Sequence, residues 1–261
     1  MRQATQPGAD PAAAAGLAAY EIIPGPVTSG VVVLADHARN LLPAGMDSLG
    51  LPECELSRHI AYDIGAEGVL RRLCEKLHAP GILAGFSRLL IDPNRGLCDP
   101  TLIMQLSDGA VVPGNCGLDE ASRQARIRDY YAPYHAGLAG LIGQSLKAGI
   151  RPVLLSVHSF TPVWKGRPRP WHVGVLWDGD DRLARPLIEA FSREPGICCG
   201  DNEPYAGGLE DDTLNKHGTK AGLLHALIEY RQDLIADAAG QAHFADMTAR
   251  LLTPILQEIT P

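Results

Sequence analysis

The chain has no long apolar run. Nothing in its 261 residues approaches the roughly 18 consecutive apolar residues of a helical membrane span. The opening stretch, MRQATQPGADPAAAAGLAAY, contains an alanine run, but Pro7, Gly8 and Pro11 interrupt it. It has no Leu/Val-rich core of the kind a secretory signal needs. Residues 1–18 are therefore read as a flexible tail ahead of a single domain, residues 19–261. The expected location is cytoplasmic. Excess positive charge is missing too. The chain carries 23 Lys and Arg against 30 Asp and Glu, a net charge of −7. Neither a nucleic acid nor an anionic membrane is the expected partner, because neither attracts such a surface. A small anionic substrate stays open, since local basic residues decide that.

Three motifs are absent as well. There is no C-x-x-C among the six cysteines, Cys54, Cys74, Cys98, Cys116, Cys198 and Cys199. Without a secretory signal an even count does not imply disulfides. The adjacent Cys198 and Cys199 are poorly placed to share one zinc. All six read as core or incidental thiols. There is no H-E-x-x-H, and no internal repeat.

What is present is an ordinary globular composition, 46% hydrophobic and 20% charged, in a chain long enough to bury a sizeable core. Apolar runs alternate with helical periodicity. Strands are expected at 30–36, 152–158, 171–177 and 196–200, and within 223–235. Helices are expected at 53–79, weakened by Gly65 and Gly68, at 119–148, at 182–194 and at 240–257. Two short apolar runs lie in 80–96, and the second, Leu89-Leu90-Ile91, is read as a strand ending at Asp92-Pro93-Asn94-Arg95. Residues 97–117 read as a glycine-rich loop over a site. The alternation predicts an α/β fold, a mainly parallel or mixed central sheet flanked by helices on both faces.

The chain is organised around GVVVLADHARN, residues 30–40. A buried strand here delivers His37 to its carboxyl end, where open α/β sheets bind ligands. PVLLSVHS, residues 152–159, repeats the design with His158. Two strand-end histidines far apart in sequence suggest a zinc site assembled by the fold. Asp63 is the first choice for a third ligand, with His59 one helical turn before it. Asp36 would point away from His37 along a continuing strand and suits a supporting role. Asn40 lies close by, but a neutral amide is a poor zinc ligand. Each of these histidines and Asp63 also has a plain reading as a structural or surface residue.

Asn94 and Arg95 offer an amide and a guanidinium fork suited to a substrate carboxylate, and Arg88 is a second cation near the same place. Surface ion pairing is the plainer reading of each arginine. Glu229 sits inside the apolar run LLHALIEYRQDL. Burial of an unpaired charge is unfavourable, so Glu229 either pairs with a cation such as Arg231 or serves as an acid/base group.

Assembled in order, ADHARNLLP, HIAYDIGA, FSRLLIDPNR, SVHSF, NEPY, NKHG and LIEYRQDLI resemble the N-formylglutamate amidohydrolase family over residues 28–257. The resemblance implies a fold similar to zinc carboxypeptidases and a zinc-dependent hydrolase. It implies zinc ligands His37 and His158, a carboxylate-binding pair Asn94 and Arg95, a general base Glu229, oxyanion stabilisation by Arg88, and a substrate-contacting or charge-stabilising His217. It departs at Asn40, where the carboxypeptidase pattern H-x-x-E has its second ligand. Asp63 then substitutes, or the metal site is incomplete. The implied substrate is a small anionic N-formyl or other N-acyl amino acid. Two alternatives remain: a metal-dependent carboxypeptidase or deacylase acting on another substrate, and a non-catalytic carboxylate-binding protein on the same fold.

Overall fold

The structure, a computed structural model, describes residues 16–259. Most of the expected N-terminal tail, residues 1–15, lies outside the described residues. Leu17 packs against the core and Ala19 is fully buried.

The strands are β1 (Tyr20–Ile23), β2 (Val31–Ala35), β3 (Gly81–Ala84), β4 (Leu106–Ser107), β5 (Ala110–Val111), β6 (Val153–Phe160), β7 (Val163–Trp164), β8 (Arg167–Pro168), β9 (Val173–Leu176), β10 (Cys199–Asp201) and β11 (His225–Arg231). The helices are α1 (Ala66–Leu77), α2 (Glu120–Arg126), α3 (Ala132–Lys147), α4 (Ala184–Arg193), α5 (Thr213–His217) and α6 (Ala238–Ile259). One seven-stranded mixed sheet runs β1-β3-β2-β6-β11-β9-β10. The four adjacent strands β3, β2, β6 and β11 are parallel, β1 is antiparallel to β3, and β9 is antiparallel to β11. This is the mixed α/β architecture that the alternation predicts.

Side-chain alternation divides the core in two. Val31, Val33, Ala35, Val153, Leu155, Val157, Ala226 and Ile228 pack under α1, α4 and α6. Val32, Leu34, Ile82, Ala84 and Leu154 pack under α3. Strands covered on both faces are largely apolar, and all eight residues of β6 are buried. No helix among the described residues is long and apolar enough to cross a membrane.

Two expected elements differ. The helix expected at 53–79 is a 3-10 turn at Glu53–Ser57, an irregular segment, and then α1 from Ala66. Gly65 has φ 83°, and a Cβ there would lie 2.2 Å from the Ile235 carbonyl oxygen. A left-handed residue ends any helix running into it, so Asp63 lies in a loop. Leu89-Leu90-Ile91 is fully buried but forms no strand. Its carbonyls find side-chain donors instead of a ladder: Asn115 Nδ2 donates to Leu89 O at 2.9 Å and Arg126 Nη1 to Leu90 O at 2.7 Å.

Candidate functional site

The carboxyl ends of the parallel strands meet at one edge of the sheet. β2 ends at Ala35 and hands on Asp36 and His37. In β6 the alternation that buries Val153, Leu155 and Val157 on one face turns Ser156 and His158 to the other. β11 pairs with β6 so that Glu229 stands opposite His158, and with β9 so that it also stands opposite Gly174. Glu229 and His158 therefore share a face. A Cβ on Gly174 would lie 1.9 Å from Glu203 O, so only glycine admits the segment that carries Tyr205 over the sheet.

His37, Asp63 and His158 are all buried, and one ligand atom from each lies within 4.8 Å of the others. Asp63 is pinned by its backbone: its N–H donates to His37 O at 2.8 Å. Each histidine hands Nε2 to a buried carboxylate, His37 to Asp92 Oδ1 at 2.7 Å and His158 to Asp36 Oδ2 at 3.2 Å. Each turns Nδ1 toward Asp63 Oδ2, at 3.5 Å from His37 and 2.8 Å from His158. His37 Nδ1 is buried and makes no hydrogen bond; with Nε2 donating to Asp92, an uncharged ring would offer a lone pair there. A lone pair facing a carboxylate oxygen calls for a cation between them. Two imidazoles and one carboxylate, with both rings oriented by outer carboxylates, fit a zinc ion that keeps an open position.

The charges respond to this crowding. Burial opposes ionisation of Asp63, but His37 and His158 outweigh it and hold the carboxyl far below its ordinary range. Burial also opposes protonation of His158, yet its hydrogen bonds to Asp36 and Asp63 push it up to about 10. For Glu229, burial dominates and pushes the carboxyl up to about 8. Its Oε2 is buried without a partner. Arg231, the cation next to it in sequence, pairs instead with Asp233 at 2.8 Å.

Arg88 donates from Nε and Nη2 to Asp92 Oδ2 at 3.1 and 2.7 Å, and its Nη1 lies 3.8 Å from Asp63 Oδ1. It thereby fixes the carboxylate that orients His37. Asn94 accepts from Thr213 N at 3.1 Å through Oδ1, which leaves its Nδ2 for the cavity. Arg95 uses Nη1 on Asn94 O and Nε on Thr101 Oγ1. Among the described residues it has no carboxylate partner, and Nη2 is available.

His37, Asp63, Arg88, Asn94, Arg95, His158 and Glu229 all line one cavity of about 400 Å³. His217 does not. Its ring stacks on His135 at 5.2 Å, with Nε2 3.0 Å from His135 Nδ1, and burial lowers its pKa to about 4. The structure thus places it behind the Pro93–Arg95 turn rather than on the cavity wall. His59 is not on a helical face with Asp63; it lies 3.5 Å from Asp108 and packs edge-on against Trp164. Asn40 donates to Leu56 O at 2.7 Å, a structural contact away from the trio. Sequence reasoning missed Asp92 as the partner of His37, although it adjoins the Asn-Arg pair. It also missed Trp164, Tyr205 and Trp177 as cavity walls, which no local pattern signals.

Comparison with known proteins places this geometry. The family model for N-formylglutamate amidohydrolase matches residues 29–236. A gene product of Agrobacterium tumefaciens of known structure is 35% identical, with a TM-score of 0.86 over 93% of this chain and 96% of that one. N-formylglutamate amidohydrolase from Ralstonia eutropha is similar in fold at 20% identity, with a TM-score of 0.73 over 92% of this chain and 99% of that one. A search of curated proteins gives no match. With a family model spanning most of its length, the chain belongs to the N-formylglutamate amidohydrolase family.

Proposed function

We propose that the protein is a zinc-dependent amidohydrolase that cleaves the linear amide of a small anionic N-acyl amino acid. The leading substrate is N-formylglutamate or a close relative, which would yield formate and the free amino acid. One observation carries this reading: the buried, unpaired Nδ1 of His37 faces the Asp63 carboxylate, inside a His-Asp-His trio that shares a cavity with Glu229, whose Oε2 is buried without a partner. The family match supports it.

His37, Asp63 and His158 would hold the metal. When bound, zinc supplies Lewis acidity and makes water more acidic. The other steps belong to the chain. Asn94 Nδ2 and Arg95 Nη2 hold the substrate carboxylate and so fix the amide in the cavity. Glu229 takes a proton from the attacking water as the new C–O bond forms. The same carboxyl returns that proton to the amide nitrogen as the C–N bond breaks. Burial raises the Glu229 carboxyl above its ordinary range, which favours its holding the proton between the two transfers. Arg88 Nη1 is the donor left for negative charge on the substrate oxygen.

Metal analysis after gentle purification, followed by turnover of N-formyl amino acids, N-acetyl amino acids and dipeptides, tests the reading. One zinc per chain and fastest turnover of N-formylglutamate are expected. Absence of stoichiometric zinc, with no activity regained on adding it, rejects the metal mechanism. Faster turnover of dipeptides or N-acetyl substrates assigns the site to a carboxypeptidase or deacylase.

A further inference from the structure

Thr213 is the first residue of α5, and it is fully buried. Its groups reach two parts of the site that are far apart in sequence. Oγ1 donates to Asp36 Oδ1 at 2.7 Å, and the other oxygen of that carboxylate, Oδ2, holds His158 Nε2 at 3.2 Å. The Thr213 backbone N–H donates to Asn94 Oδ1 at 3.1 Å. A hydroxyl has one proton, and it goes to the nearer, charged acceptor, Asp36 at 2.7 Å, rather than to the neutral Pro93 O at 3.2 Å. Pro93 O has its own donor in His135 Nε2, at 3.1 Å. Tyr131 donates to Arg95 O at 2.7 Å.

The start of α5 is held in place locally. Asp212 caps it by accepting from Asn215 N at 2.8 Å. The first-turn N–H of Thr213, which a helix leaves without an internal partner, goes to Asn94. That bond fixes which way the Asn94 amide faces. The side-chain hydroxyl does the equivalent for Asp36, and through Asp36 it fixes the ring of His158.

We infer that Thr213 is a positioning residue: its hydroxyl sets the metal ligand His158 through Asp36, while its backbone N–H separately sets the carboxylate-binding amide of Asn94. The inference rests on the metal-site reading above. It predicts a division between two functions carried by one residue. Removing the hydroxyl weakens the metal half and leaves the carboxylate half in place.

The test is zinc affinity by chelator competition on full-length wild type, Thr213→Val, Thr213→Ala, Thr213→Ser and Asp36→Asn, with thermal unfolding as a check of the fold. Val and Ala lack the hydroxyl and differ in bulk, so a folding failure in one leaves the other to decide. Removing an outer partner of a ligand weakens metal binding by about 10- to 100-fold. A loss in that range is expected for Asp36→Asn; Val and Ala, one contact further out, are expected to lose about 3- to 10-fold, the equivalent of one hydrogen bond, with Ser within about twofold of wild type. The Thr213→Val/Asp36→Asn double variant should bind no more weakly than Asp36→Asn alone, because both changes break one chain of contacts. In turnover, kcat falls for Val and Ala while KM for a carboxylate substrate stays near wild type. Folded Val or Ala variants that bind zinc like wild type overturn the inference and leave the metal reading intact. Ser as weak as Val also overturns it. A wild type that binds no zinc removes both.

Discussion

Glu229→Gln should make the metal-free protein more stable and the enzyme far slower. The side chain is buried, lacks a partner at Oε2, and has its carboxyl pushed by burial from an ordinary 4.5 to about 8. A carboxyl with a raised folded-state pKa holds its proton when the unfolded chain has released it. Between pH 4.5 and about 8 the folded state therefore binds more protons, and stability falls as pH rises through that window. At pH 7 the difference is about 3 kcal/mol, at 1.36 kcal/mol per unit. Glutamine is the same size as a protonated glutamate and leaves a comparable unpaired polar group, so the variant differs chiefly in not ionising. For a chain of this length a gain of that size raises Tm by roughly 6–12 °C at pH 7. The gain should shrink to nothing at pH 4.5. The assay is thermal unfolding of chelator-treated wild type and variant from pH 4.5 to 8.5, alongside kcat of the zinc-loaded forms, where a general base contributes about 10²- to 10⁴-fold. A variant less stable than wild type at pH 7, or a stability difference that does not change with pH, would refute the account of Glu229. Undiminished kcat would refute its role.

Arg95→Ala should raise KM for carboxylate substrates by about 10- to 100-fold, the equivalent of one hydrogen bond to a charged group. The matching substrate amide should show little change in steady-state kinetics. Gly65→Ala places a Cβ 2.2 Å from Ile235 O at φ 83°, so strain and overpacking together should destabilise the fold by about 3 kcal/mol, read as a lower denaturation midpoint.

The sequence by itself determined the fold class, the placement of His37 just past the end of β2, and the anomaly of Glu229; His158, expected at a strand end, lies within β6, which continues to Phe160. Each follows from short-range rules. Apolar runs mark strands buried on both faces, as the fully buried β2, VVVLA, shows. A strand's end is where its next polar residue meets the sheet edge. A carboxylate within an apolar run needs a reason to be there. Resemblance then supplied names for these positions.

The tertiary structure alone decided how the site closes. Asp63 reaches the trio from a loop, because the left-handed Gly65 (φ 83°) breaks the expected helix and α1 starts only after it. Asp92 and Asp36 orient the two histidines from 55 and 122 residues away in sequence. His217 turned from the cavity to His135, and Thr213 emerged as the link between α5, Asp36 and Asn94. None of these contacts has a sequence period. They arise where separate strands end side by side, and only the packed sheet determines which ends are neighbours and which way a ring nitrogen faces.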